Sequence, residues 1–414
     1  MKGDYKNYTI GASSMERTQK KIVYYIAYAI VAVVFLMHFG FCFFPTSQSE
    51  STQATWSIPS NMPSGMIYSG TTYYASTPQK FLYALNKGST TTIELADNID
   101  FDGNAYPTIT RSNSITINGH GYSILNVSTN SNSKIGLISE ASAKVTINNV
   151  NLEVDIDYSS STATKMGGFV GNATNTVTIN NCTVNGEINV TSSKTHYVGG
   201  FVGYSNSTIN ITNSINYASI VTSGGTLVGG IIGYAGSTST TLSVCANFGD
   251  IKGATGYVGG LIGSSQGNKG ISKCFNTGSI TGTSGAIGGL MGYCGNAVTF
   301  SSCYNTGSIN INSSNTRRGG IVGSAASSPT FNYCYSVGSL SSTSSSGSQT
   351  VNKTVTPTHE CDPEKLTTYS MADSENAIIS TPYEGGGGDS TPQTVDVYVR
   401  LSSISYNVVT VADL

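Results

Sequence analysis

Gly167-Gly168-Phe169-Val170-Gly171 returns as Gly199-Gly200-Phe201-Val202-Gly203, then as GGIIG from Gly229, GGLIG from Gly259, GGLMG from Gly288 and GGIVG from Gly319. Successive starts lie 32, 30, 30, 29 and 31 residues apart. So constant a period marks stacked repeats, each burying its apolar face against its neighbours. A second marker keeps phase with the first: Cys182, Ser214, Cys245, Cys274, Cys303 and Cys334, each followed by Ile188, Ile220, Ile251, Ile280, Ile309 or Leu340.

Between these markers sits a turn of the form Cys-x-Asn-x-Gly, with Asn247 and Gly249, Asn276 and Gly278, Asn305 and Gly307, and Asn216 with Ala218 one repeat earlier. The glycine is expected to supply a backbone conformation that a Cβ would oppose, and the asparagine to bond its own turn. Stacked in register about 4.8 Å apart, the asparagines would also bond one another. Short runs such as Val177 to Ile179 and Ile209 to Ile211 alternate with polar residues and fit strands with one face inward. The expected fold is all-β, a single-stranded right-handed parallel β-helix over residues 77–340, most regular over 167–340, with one coil per repeat. About nine coils would give a rod of roughly 40 to 45 Å.

Only 10% of residues are charged and the net charge is -2, so there is no basic footprint for nucleic acid. Of the 8 cysteines, Cys182, Cys245, Cys274, Cys303 and Cys334 belong to the repeat phase. Parallel register points their side chains the same way, which favours a ladder of buried reduced thiols over bridges and leaves bridges as the alternative. Cys294 stands off the ladder and is the expected exception.

Residues 1–21 read as a cytoplasmic tail carrying Lys2, Lys6, Arg17, Lys20 and Lys21. Residues 22–44 are free of charge, and about 20 apolar residues suffice to span a bilayer. With the basic cluster before them they read as an uncleaved single-pass signal-anchor that places the rest of the chain outside the cell. A long secretory signal cut after Ser49 or Ala54 is the alternative, and it too exports the remainder. Residues 45–76 read as a spacer. Thr77 to Gly88 predicts a short helix, with Thr at the cap, Pro78 in the first turn, Phe81, Leu82 and Leu85 on one face and Gly88 as the stop. It is placed to cover the open first coil.

The stretches Thr92 to Leu95, Asp97 to Phe101 and Ile115 to Leu125 resemble the opening coils of pectate-lyase-like β-helix surface proteins, and the GGxxG repeats resemble the GLUG motif of adhesin-like surface proteins. Ile135-Gly136-Leu137-Ile138-Ser139 would be a degenerate first repeat. The resemblance implies a β-helix and export, and supplies no catalytic motif. Residues 341–393 read as a Ser/Gly-rich linker with a cap around Pro363 to Leu366, and residues 394–414 as a short β-hairpin or the start of a further domain.

Chemistry on such a scaffold needs paired carboxylates or a cation site. Asp100, Asp102 and Asn104 offer oxygens at calcium-like spacing, with a turn at Gly103 as the alternative and no other cofactor implied. Glu153, Asp155 and Asp157 alternate with Leu152, Val154 and Ile156, as on a strand with a charged outer face. His359 and Cys361 lack the partners of a zinc motif. Tyr204, Tyr234 and Tyr293 recur at one repeat position, with Ser264 and Ser324 interrupting, as a glycan-facing stripe or as corner packing. Arg317-Arg318 reads as a solvated corner. Sequons at Asn126, Asn172, Asn181, Asn189, Asn206, Asn210, Asn312 and Asn352 would take glycans in a eukaryote.

Three functions follow. The leading one is a membrane-anchored, adhesin-like binding or spacer module facing a glycan or matrix protein, and not an enzyme. The second is a polysaccharide lyase or hydrolase, testable by whether Asp100, Asp102, Glu153 and Asp155 converge in one groove. The third is a stalk without a ligand.

Overall fold

The computed structural model describes residues 54–342 apart from 130–132, 160–161, 163, 193, 237–238, 268, 312–316 and 337–339, and the strands Val351–Asn352, Asn376–Tyr383 and Gln393–Arg400. The tail 1–21, the apolar run 22–44, the cap sequence around Pro363 and the His359–Cys361 pair fall outside them. Among the described residues no helix is long and apolar enough to cross a membrane.

The chain forms a right-handed-type β-solenoid. One sheet holds 11 strands, a second 8 and a third 20. In the eleven-stranded sheet Thr91–Leu95, Ile115–Asn118, Val145–Asn148, Val177–Asn180, Ile209–Thr212, Thr240–Ser243, Lys269–Ser272 and Val298–Ser301 pair in chain order, all parallel. The repeat period is the register: Gly167 pairs with Gly199, Gly199 with Gly229, Gly229 with Gly259, Gly259 with Gly288 and Gly288 with Gly319. The degenerate repeat falls in line, since Ile135 pairs with Met166 and Ile138 with Val170. The described residues make about 7 turns, fewer than the expected nine.

Inward positions stack apolar side chains on their equivalents one repeat away. Ile147, Ile179 and Ile211 line one side; Phe169, Phe201, Ile231, Leu261 and Leu290 fill the GGxxG corner; Ile188, Ile220, Ile251, Ile280 and Ile309 close the third wall, all buried. The opening helix, α1 (Pro78–Leu85), buries Phe81, Leu82, Ala84 and Leu85, and the Thr77 side chain accepts from the Lys80 amide. It ends at Asn86 rather than Gly88. The buried Arg111 collects its terminal carbonyls, donating to Leu85 O at 2.7 Å and Lys87 O at 2.5 Å.

Two boundaries move. Part of the expected spacer is solenoid: Thr72–Ala75 pairs with Thr91–Leu95, and Trp56 donates its indole N–H to Phe101 O at 2.8 Å and packs edge-on against that ring. Covering the first coil needs apolar surface beyond α1, and Trp56 provides it. At the other end Asn376–Tyr383 pairs antiparallel with Gln393–Arg400, so the partner of the alternating Val395–Val399 run precedes it.

Candidate binding cleft

The GGxxG pentapeptide builds a concave corner. A Cβ on Gly199 would lie 2.2 Å from Val202 O, and one on Gly203 would lie 2.5 Å from the Met166 backbone. Backbone packs directly on backbone there, and only glycine permits the approach. The second glycine serves the interior. A Cβ on Gly200 would lie 2.4 Å from Asn216 Oδ1, and Gly230, Gly260 and Gly289 stand in the same way against Asn247, Asn276 and Asn305. The two sequence markers are therefore one device, with the glycine making room for the asparagine.

Those asparagines form a fully buried ladder. Asn216 Nδ2 donates to Asn247 Oδ1 at 2.7 Å, Asn247 to Asn276 at 2.7 Å and Asn276 to Asn305 at 2.8 Å. The second amide hydrogen of each goes to the turn carbonyl two residues on, at 2.8 to 2.9 Å. Beside it Cys182, Cys245, Cys274, Cys303 and Cys334 are buried free thiols, each donating to the carbonyl two residues before it. Burial pushes the Cys182 thiol up to about 12. Cys294, the expected exception, is likewise a buried free thiol.

Because the glycines of the corner leave its outer surface without side chains, the residues flanking it meet one another across it. Tyr197 and Tyr204 meet edge to face with centroids 4.9 Å apart. Tyr204 stacks on Tyr234 at 4.9 Å and 13°, and Tyr197 also reaches Tyr234 at 5.7 Å. Further along, Tyr257 of one wall stacks on Tyr293 of the other at 4.6 Å and 14°. Ser264 pairs with Tyr234 on one side and Tyr293 on the other. The cleft continues as polar pairs at both ends. Lys134 contacts Glu140, Lys165 Nζ donates to Asn172 Oδ1 at 3.0 Å, and Arg317 donates to Ser324 Oγ at 3.0 Å. Lys165 Nζ lies 3.8 Å from the Tyr204 ring centroid, so that ring has a cation on one face and Tyr234 on the other. Burial raises the phenol pKa of both Tyr204 and Tyr234.

Of the sequence candidates, Tyr204 and Tyr234 come together, and Tyr293 sits two coils beyond Tyr234 on the same wall. The opposite wall, Lys165, Tyr197 and Tyr257, went unread. Its signal is a seven-residue spacing across each pentapeptide, as in Lys165/Asn172, Tyr197/Tyr204 and Arg317/Ser324. Arg318 is not solvated: it is buried, in register with Ile287.

Asp100 is spoken for by its turn. It accepts from Asn126 Nδ2 at 2.7 Å and from the Asp102 amide at 2.8 Å, which hold its pKa below the usual range. Asp102 and Gly103 both have left-handed φ, 54° and 66°. Asn104 is half-buried beside them, and its carbonyl accepts from Ser128. Among the described residues no group of three His, Cys, Asp or Glu side chains stands where it could hold a metal. Glu153 and Asp155 are exposed on the outer face, and Asp155 pairs with Ser128 on one side and Glu187 on the other. Asp100 lies in the same sheet but a strand away, paired with Leu125.

No curated protein matches the chain. The crystal structure of a "putative immunoglobulin A1 protease from Bacteroides ovatus" is similar at 16% identity and a TM-score of 0.43, covering 67% of this chain and 81% of that one. Residues 72–192 match the model of the family described as "Putative pectate lyase-like adhesive domain".

Proposed function

We propose that the chain is a surface-displayed, adhesin-like β-helix, held to the membrane through residues 22–44, whose glycine-floored cleft binds an extended glycan. The observation that carries this reading is the pair of facing walls, with Tyr197, Tyr204, Tyr234, Tyr257 and Tyr293 along the middle and polar pairs at the ends, running in register over successive coils. A linear polymer laid along the solenoid axis would meet a tyrosine on one wall or the other at each coil from Tyr197 to Tyr293. The adhesive-domain match over residues 72–192 and the GLUG-like repeats agree with it. Both faces of Tyr204 are occupied, so ligand contact falls to the half-buried edges and hydroxyls of Tyr197, Tyr234, Tyr257 and Tyr293.

The test is binding of the full chain to glycan and matrix-protein arrays, beside a Tyr197→Ala/Tyr234→Ala variant. A loss of about tenfold or more, worth about 1.4 kcal/mol, is expected for glycan binding. Equal binding by both proteins moves the site off the cleft. Cleavage of a bound polysaccharide turns attention to Glu153 and Asp155, and a folded chain that binds nothing leaves the stalk.

A further inference from the structure

At the lower end of the cleft three side chains form a set whose chemistry the binding reading leaves unexplained. Lys165 Nζ is 3.0 Å from Asn172 Oδ1, and Asn172 Nδ2 donates to Glu140 Oε1 at 3.1 Å. Glu140 is anchored through its other oxygen by Lys134. Asn172 is only 3% exposed, and the Tyr204 ring covers the Lys165 ammonium. An amine, a primary amide and a carboxylate touching the amide nitrogen are the complete reactant and catalyst set for amide exchange. We propose that Lys165 and Asn172 join in an intramolecular isopeptide bond, with Glu140 as the proton-transfer group.

The step balances without any other reactant. The neutral Lys165 amine adds to Asn172 Cγ, forming the new C–N bond and a tetrahedral centre. Glu140 takes the proton from the attacking nitrogen and returns it to Nδ2, with which it is already in contact. The Cγ–Nδ2 bond breaks, ammonia leaves and Glu140 is regenerated. The surroundings favour each role. Burial and the nearby Lys134 charge lower the Lys165 pKa, increasing the share of nucleophilic amine. Contact with Lys134 lowers that of Glu140, which keeps it an acceptor at neutral pH. Register supplies the alignment, since Glu140 and Asn172 are partners on one wall and Lys134 and Lys165 partners on the other. The bond would tie the two walls together beside Tyr204, fixing the width of the cleft whatever the cleft binds.

Intact mass spectrometry of the reduced full chain, followed by tryptic mapping, decides it. The expected result is a mass short by one ammonia and a branched peptide joining Lys165 to Asn172, with no cleavage after Lys165. Glu140→Gln and Asn172→Ala should both return to the full formula mass, with folding verified by circular dichroism. A folded wild-type chain at full formula mass, cleaved normally after Lys165, overturns the proposal without recourse to any variant. A deficit that persists in Asn172→Ala places the lost ammonia elsewhere and overturns it equally.

Discussion

At Gly278 the backbone φ is not left-handed, and the need for glycine arises one coil away: a Cβ there would lie 2.1 Å from Gly249 O. Gly278→Val should therefore act as overpacking and cost about 1–3 kcal/mol, read as a lower Tm with secondary structure retained. Left-handed backbone recurs at the residue just before each ladder position, from Asn181 and Asn213 to Val244, Lys273, Ser302 and Tyr333, with φ of 50° to 56°. Asparagine tolerates that region and a β-branched residue does not. Val244→Asn should stabilise by about 1 kcal/mol, and an unchanged or lowered Tm would contradict this. Lys269 occupies an inward position, 5% exposed, with Nζ donating to Gly236 O at 2.8 Å, and burial lowers its pKa to about 8. Its pKa is lower folded than unfolded, so the unfolded chain binds more protons between about pH 8 and 10.5 and stability rises with pH across that window. Below it the full penalty applies. Lys269→Met should gain roughly 1–3 kcal/mol at pH 7, since one pKa unit is worth about 1.4 kcal/mol, with the advantage shrinking toward pH 10 in chemical denaturation. An advantage independent of pH would refute the account.

Among the elements, α1 shows how an end cap is held. Its apolar face covers the first coil, and Arg111 satisfies its last carbonyls while also donating to Ser89 O and Asn113 O. Arg111→Met keeps the stem and removes the donors, orphaning several carbonyls at about 1–3 kcal/mol for each buried one. Faster amide hydrogen exchange over residues 78–95 than over 209–272 is the expected signature. Uniform acceleration throughout would show that Arg111 is not specific to the cap.

Among the described residues each coil is hydrogen-bonded to the coils before and after it, so stability is dominated by nearest-neighbour terms and opening begins at the ends. The last described coil borders a cavity of about 310 Å³ lined by Ile321, Val322, Pro329 and Phe331. The Asn ladder, by contrast, is continuous from Asn216 to Asn305. Exchange protection should be highest over residues 209–305 and fall toward residue 342. A flat profile would indicate a single cooperative unit.

The period of the pentapeptide fixed the coil, its register and the Asn ladder from sequence alone, because in a stack every residue meets its own equivalent one repeat away. That regularity makes a neighbour along the axis legible as a number. Contacts within one coil have no such rule. That Lys165 faces Asn172 and Tyr197 faces Tyr204 follows from bends at Gly167 and Gly171 and at Gly199 and Gly203, whose angle no periodicity encodes. Trp56 lay in an apparent spacer, and nothing in the repeat pattern pointed to Arg111, because at the ends of a solenoid equivalence between coils fails. The sequence determined the stack; the tertiary structure decided which outer faces close into a cleft, since that depends on how sharply each coil turns.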